Sequence, residues 1–265
     1  MTKIIGFSGK AQAGKDSACN LLYCIALRNV LKLTDIAYVD DEGRVIIEYV
    51  DENGKFDGPL FVDSRHPEIM GWMAQFVWPF IKKFSYAEPL KEFGQYVLGL
   101  SEEGVWGTNE QKNQPTHLNW EDMPTNVLQK KLAKKSGPMT NREVMEYFGT
   151  QICRQMYPNV WADALIRRIE LIKPEIAMVC DVRFPNEVEA IKKAGGKVIR
   201  LTRTTEEAAK NDHISNTALD QDVYDWSNFD AVIDNQNLTI REAQDLILAH
   251  LVDFDIMKIE EVDNA

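Results

Sequence analysis

Lys3-Ile4-Ile5-Gly6-Phe7-Ser8-Gly9-Lys10-Ala11-Gln12-Ala13-Gly14-Lys15-Asp16-Ser17 decides the fold. An apolar run reading as a strand, Lys3 to Phe7, delivers into a turn in which Gly9 and Gly14 bracket four residues and Lys15 follows. With glycines at that spacing, backbone N–H groups can wrap a polyphosphate at a helix start while the ammonium reaches its outer oxygens. The helix that such a turn requires comes next, because Ala18, Leu21, Leu22, Ile25, Ala26 and Val30 fall on one face. The expected ligand is a nucleoside triphosphate, and Gly9, Lys10, Ala11, Gln12, Ala13, Gly14, Lys15, Asp16 and Ser17 are its candidate cradle.

One detail narrows the class. The residue after Lys15 is Asp16, and the hydroxyl arrives one place later as Ser17, a displacement similar to that of adenylate-kinase-like small-molecule kinases. It points towards a metabolite kinase and away from motors and GTPases.

Composition bounds the rest. At 265 residues and 45% hydrophobic the chain can bury a substantial core, and one domain with insertions is expected. A net charge of −11, relieved only by the short Lys130-Lys131 and Lys134-Lys135 cluster, argues against binding a nucleic acid polymer. Cys19, Cys24, Cys153 and Cys180 lie in apolar contexts without a CxxC pair, which predicts buried free thiols in a reducing compartment. His66, His117, His213 and His250 lack metal-ligand spacing. No signal peptide and no apolar run of about 18 residues is present, so a cytoplasmic protein without a membrane span is expected.

Along the chain, five short β candidates fit one parallel sheet covered on both faces: Lys3 to Phe7, Lys83 to Tyr86, Ile176 to Cys180, Lys197 to Leu201 and Ala231 to Asp234. The expected fold is α/β, a single domain over 1–265 with a five-stranded parallel sheet flanked by helices. Three segments interrupt the alternation. Residues 34–82 carry an inserted β-arm, with β-prone runs between Tyr38 and Val62 punctuated by Asp-Glu-Gly and Glu-Asn-Gly turns, followed by a helical aromatic stretch, Trp72 to Phe80, read as core. Residues 101–138 mix Trp, Asn, Gln, Pro and Lys without periodicity and read as a long ordered loop on the substrate side. Residues 203–219 are polar and helix-weak, and are read as a lid that carries Arg203 to the transferring phosphate, with a solvated loop as the alternative. The last helix, Ile240 to about Phe254, opens with a capping-box pattern at Thr239 and Glu242, and an acidic tail follows.

Two further constellations carry chemistry. Thr140-Asn141-Arg142-Glu143 opens a helix to about Tyr157, with Val144, Met145, Phe148, Ile152 and Met156 as its buried stripe. Arg142, Glu146, Gly149, Thr150 and Cys153 share the other face. A mid-helix glycine costs about 1 kcal/mol relative to alanine, so Gly149 implies either the approach of a flat ligand or close packing of two backbones. The second constellation ends an apolar strand at Asp181, with Arg183 and Glu187 just beyond, on the rim where open parallel sheets bind ligands. The plain alternative is an Asp–Arg pair closing a loop, with Glu187 favouring a helix N-terminus.

The ordered set SGKAQAGKDS, SYAEPLKEFG, WGTNEQKN with HLNWEDMP, REVMEYFGTQICR with VWADAL, DVRFPNE and the Arg203 to Asn216 segment resembles the tailed-phage deoxynucleoside monophosphate kinases, over most of the chain outside 34–80. The resemblance implies a P-loop kinase fold, ATP and Mg2+ as cofactors, deoxynucleoside monophosphates as small-molecule substrates, a homodimer, and a host cytoplasm if the protein is phage-encoded. Carried over residue by residue, it implies catalytic roles for Lys15, Asp16, Arg142, Arg183 and Arg203, with Asp16 and Ser17 at the metal. It further implies a monophosphate pocket of Arg142, Glu146, Gly149, Thr150, Trp161, Asp181, Arg183 and Glu187. Glu143 stands where members of that family can show a second basic residue, and Glu146 where Gln is common. Those charge changes bear on base preference, since carboxylates favour exocyclic amino groups. A kinase of another small acceptor and a non-kinase P-loop ATPase are the alternatives, and the second would make Asp181 the Walker-B carboxylate.

Overall fold

The computed structural model describes residues 1–30, 37–39, 45–50, 56–62, 65–123, 136–206 and 214–257. The 130–135 lysine cluster, both turn signals of the arm, Asp212 and His213 of the 203–219 segment, and the tail from 258 onward lie outside the described residues. The chain forms two compact units, Met1–Ser85 with Leu165–Ala265, and Tyr86–Ala164.

The first unit is built on a five-stranded parallel sheet. Its strands are β1 (Lys3–Ser8), β5 (Ile81–Phe84), β8 (Ile176–Val182), β9 (Lys197–Leu201) and β10 (Ala231–Ile233), in the order β10-β9-β1-β8-β5. All five expected strands are found, with ends moved by one or two residues. β1 lies centrally, pairing Gly6 with Val179 of β8 and with Val198 of β9, and its alternate residues face opposite ways. Ile5 and Phe7 enter a core shared with Met178, Cys180, Ile199, Leu201 and Ile233, into which α1 (Lys15–Ile25) sends Ala18, Cys19 and Leu22. On the other face a Cβ at Gly6 would meet Ile191 of α9 (Pro185–Lys193) at 2.7 Å. Helices therefore cover both sides, and the near-continuous apolar strands follow from that.

The inserted arm consists of β2 (Ala37–Val39), β3 (Val45–Val50) and β4 (Phe56–Phe61), an antiparallel sheet in that order. Val45, Ile47 and Val62 join the α1 core, so this end of the arm is part of the fold's interior. The aromatic stretch is core in part, with Trp72 and Trp78 packed against the α1 core. Helix α2 (Pro67–Phe76) buries Met73, with Val77 beyond it, while Phe76 and Phe80 are exposed. Two cysteines also depart from the reading as free thiols: Cys19 of α1 and Cys180 of β8 form a disulfide, leaving Cys24 and Cys153 free among the described residues. The helix and the strand meet face to face here, and sequence separation of 161 residues hid the pairing.

The second unit has its own core of Leu100, Val105, Met139, Val144 and Tyr147. The stretch expected as an irregular loop is ordered by short elements, α4 (Glu102–Trp106), α5 (Asn109–Lys112), β6 (Pro115–Asn119) and β7 (Pro138–Thr140), of which β6 and β7 pair antiparallel. Local caps define them: Ser101 caps α4, and Thr108 with Gln111 makes a capping box on α5. Helix α3 (Glu88–Tyr96) precedes them, and α6 (Asn141–Glu146) follows, running through a π-helical turn, Tyr147–Cys153, into α7 (Arg154–Met156). Helix α8 (Val160–Ile172) comes next. Among the described residues no helix is long and apolar enough to cross a membrane.

Candidate functional site

The turn after β1 has the geometry of an anion cradle. Gly14 adopts φ of 97°, a left-handed conformation that a side chain strains, and it is the N-cap of α1. At Gly9 a Cβ would come within 2.9 Å of the Leu201 carbonyl oxygen, so only glycine lets the loop lie this close to β9. Lys15 is buried and its ammonium folds back onto the loop, donating to the carbonyls of Gly9 at 2.9 Å and Lys10 at 2.5 Å. Burial lowers its pKa from 10.5 to about 8, and Arg183 pushes the same way against Asp16 and Asp181. Lys15 is thus a buried ammonium held by loop carbonyls, with Asp16 and Asp181 favouring its charge.

The residues at the end of β8 surround that lysine electrostatically. Asp181 Oδ2 accepts from Ser85 Oγ at 2.6 Å, fixing one carboxylate oxygen at the sheet's C-terminal edge. Glu187 is 1% exposed, and its Oε2 accepts from the backbone N–H of Arg183 at 2.7 Å and of Phe184 at 3.1 Å. It thus shapes the turn that presents Arg183, in keeping with the plainer electrostatic reading of a helix start. Asp16 is 78% exposed on the first turn of α1, 3.6 Å from Lys83 Nζ. Ser17 is partly buried. Arg203 is exposed just past β9, with its backbone N–H bound at 2.9 Å to Asn235 Oδ1. The same Asn235, buried, donates through Nδ2 to the Ala13 carbonyl at 2.9 Å and so ties loop to strand end.

In the second unit the Thr140 capping box forms as expected, with Glu143 accepting from the Thr140 backbone at 2.9 Å. That bond gives Glu143 a local purpose as the third helical residue. Arg142 is held by two asparagines: Nε donates to Asn113 Oδ1 at 3.0 Å and Nη2 to Asn109 Oδ1 at 2.9 Å. Neither asparagine was singled out from the sequence, although both belong to the WGTNEQKN motif, whose α5 caps bring them to one side. Glu146 is exposed and Thr150 partly buried on the same helix.

At Gly149 a Cβ would lie 2.5 Å from Leu90 Cδ2, so the Leu90 side chain of α3, rather than a second backbone, packs against it. The Gly149 carbonyl, within the π-turn, accepts from Trp161 Nε1 at 3.0 Å. The buried Trp161 therefore anchors α8 to this turn. The proposed apolar stripe also shifts, since the π-turn adds a residue to the period and leaves Met156 82% exposed. Tyr147 takes a buried place in its stead.

Comparison with known proteins supplies the class. A family model described as Deoxynucleotide monophosphate kinase matches residues 81–244, which takes in β5 through β10 and the whole second unit. A protein of Acanthamoeba polyphaga mimivirus, described as a candidate deoxynucleotide monophosphate kinase, is 29% identical over 136 residues, covering 47% of this chain. The match spans 61% of the length of that relative. The glycine-bracketed loop at residues 9–17 lies before the family match.

Proposed function

We propose, since the chain belongs to the deoxynucleotide monophosphate kinase family, that it transfers the γ-phosphoryl group of ATP to the 5′-phosphate of a deoxynucleoside monophosphate, supplying diphosphates for DNA synthesis. The observation that carries this is the buried Lys15 ammonium, held by its own loop's carbonyls at the C-terminal edge of a parallel sheet.

Phosphoryl transfer asks the protein for alignment and charge neutralisation more than for covalent chemistry. Lys15 and the amides of Gly9–Ser17 hold the donor's phosphates. Arg183, aimed by Glu187, neutralises charge at the rim, and Arg203 on the 203–219 segment, read as a lid, adds a further guanidinium. Arg142, oriented by Asn109 and Asn113, binds the acceptor's phosphate, and Glu146 with Thr150 offers hydrogen bonds to its nucleoside. Asp181, with one carboxylate oxygen fixed by Ser85, lines the acceptor's pocket.

Among the described residues no three acidic, cysteine or histidine side chains form a ready-made metal cage. Mg2+ asks for no such cage, since it binds through one or two oxygen side chains and takes its remaining ligands from phosphates and water. Asp16 and Ser17 are oxygen donors at the start of α1 and fit this role, Asp16 directly or through water. The ion supplies charge neutralisation between the phosphates when bound. We read the whole as one kinase domain with insertions at 34–82 and 101–138, acting in the cytoplasm as a dimer and at home in a phage-like nucleotide economy.

The test is an ATP-coupled assay against all deoxy- and ribonucleoside monophosphates, with an acceptor-free control. Turnover with deoxynucleoside monophosphates is expected, strongest with bases bearing an exocyclic amino group opposite Glu146. Phosphate release equal with and without an acceptor, and no nucleoside diphosphate formed from it, would overturn the kinase reading in favour of an ATPase.

A further inference from the structure

The first half of the phosphate loop is gripped from a single short stretch more than two hundred residues away. Asn216, buried on α10 (Ile214–Thr217), accepts from the Ala11 backbone N–H through Oδ1 at 3.2 Å. Four residues later, Asp220 Oδ2 lies 3.0 Å from Lys10 Nζ. The other oxygen of that carboxylate is 3.7 Å from Arg200 Nη2. Asp220 therefore sits between a cation on the loop and a cation on the sheet.

Arg200 is an unusual anchor. It is buried, pairs in register with Ser8, and donates from Nη1 to Ser8 Oγ at 3.0 Å, one residue before the loop begins. Its guanidinium packs 5.3 Å from the Trp226 ring and 5.9 Å from Phe229. Its Nε is buried with no partner among the described residues. An incompletely satisfied buried guanidinium costs stability, so stability alone is a poor reason for it. What the arrangement does achieve is a fixed positive charge beneath Asp220, which in turn fixes Lys10. Exposed ion pairs contribute little, but Lys10 and Asp220 are each about three-quarters buried and their partner is nearly wholly so.

We propose that Asp220 and Asn216 are positioning residues for the phosphate donor, a two-point latch that holds Gly9–Ala11 in the binding conformation before the nucleotide arrives. This rests on the reading of Gly9–Ser17 as a triphosphate cradle. A glycine-containing loop left to itself would have to be ordered by the ligand, at the expense of affinity. The latch removes that ordering cost from the binding step. Its loss should therefore appear in donor binding and leave the transfer step unchanged.

The experiment is calorimetric titration of the full chain with magnesium and the non-hydrolysable β,γ-imido analogue of ATP, alongside steady-state kinetics. Asp220→Asn is expected to weaken analogue binding and raise the KM for ATP about tenfold, the weight of one charge-assisted contact. At saturating ATP, kcat should stay within about twofold, and the KM for the monophosphate should not move. Combined with Lys10→Met, the loss should be little more than either variant alone, because both break one contact. Multiplying losses would overturn the inference, as would a fall in kcat with unchanged donor affinity. If Asp220→Asn shows no cooperative melting, Asn216→Ala carries the same test with about a fivefold expected weakening, and an unchanged affinity there overturns it. Failure of the unaltered protein to bind the analogue would remove the cradle reading itself, a separate result.

Discussion

The Gly9–Ser17 loop of the first unit and the Arg142 helix of the second, read as donor and acceptor sites, are built by opposite means. In the loop the backbone does the work: amides, a left-handed Gly14 and a glycine pressed against the Leu201 carbonyl define the cradle, and one side chain completes it. In the helix the side chains do the work, and each is aimed by a partner from another element, Arg142 by Asn109 and Asn113, Trp161 by the Gly149 carbonyl. A backbone site depends on a few spacings and tolerates its surroundings. A side-chain site depends on its supports, and those can be mutated separately from the residues that touch substrate.

The sharpest way to break that contrast is Lys15→Ala. The Lys15 side chain carries the positive charge read as gripping the donor's phosphates, so its loss should lower turnover by about a thousandfold or more while the melting transition is kept. Thermal melts beside the coupled assay check both halves. A variant that fails to fold, or that retains more than about a tenth of the activity, would show the loop to be structural.

For the side-chain site the expected loss is smaller and divisible. Arg142→Ala should cost about a hundredfold in kcat/KM for the monophosphate, and Asn109→Ala with Asn113→Ala about tenfold, by freeing the guanidinium to wander. Neither should alter ATP affinity. If the asparagine pair proves silent, the guanidinium needs no support and the distinction between the two sites weakens.

This difference also explains what could be read from the chain. All five sheet strands, the arm, the capping boxes at Thr140 and Thr239 and the phosphate loop follow from short-range periodicity and spacing, and each was legible. What escaped was set by partners remote in sequence. Leu90 packs against Gly149, and a π-turn that no local pattern announces moves Met156 into solvent. The Cys19–Cys180 bond and the Asp220 latch likewise join segments that only the fold brings together. Glu187 was legible as to place but not as to direction, because a carboxylate at a helix start can face either ligand or backbone, and here it takes two backbone N–H groups.

Acidity sharpens the account of the cradle. The Lys15 value of about 8 in the folded chain lies below its ordinary 10.5, so the unfolded state binds more protons between those limits. This group's contribution to stability accordingly rises as pH climbs from about 8 to 10.5. Triphosphate binding reverses the preference, since the phosphates favour the charged ammonium. Affinity for ATP should therefore hold below pH 8 and fall as pH rises through about 8, by at most about tenfold per pH unit, with proton uptake on binding in that range. Titrations in two buffers of different ionisation heat detect the uptake, and a pH-independent affinity between 7 and 9 would mean the lysine is not the titrating group.

The smallest expected effect is the most discriminating for the helix. Gly149→Ala adds a methyl group 2.5 Å from Leu90 Cδ2, which must move aside. Overpacking of this kind costs about 1–3 kcal/mol, and the gain in helix propensity, about 1 kcal/mol, offsets part of it. A net loss near 1 kcal/mol is expected, read as a lower denaturation midpoint with little change in kcat or in the monophosphate KM. In the Leu90→Ala background the methyl group has room, so Gly149→Ala should become neutral or stabilising there, a coupling that a double-mutant cycle measures directly. Were Gly149 instead kept small for a nucleotide, the substitution would raise the monophosphate KM in both backgrounds, and the second site would resemble the first in depending on close approach to backbone.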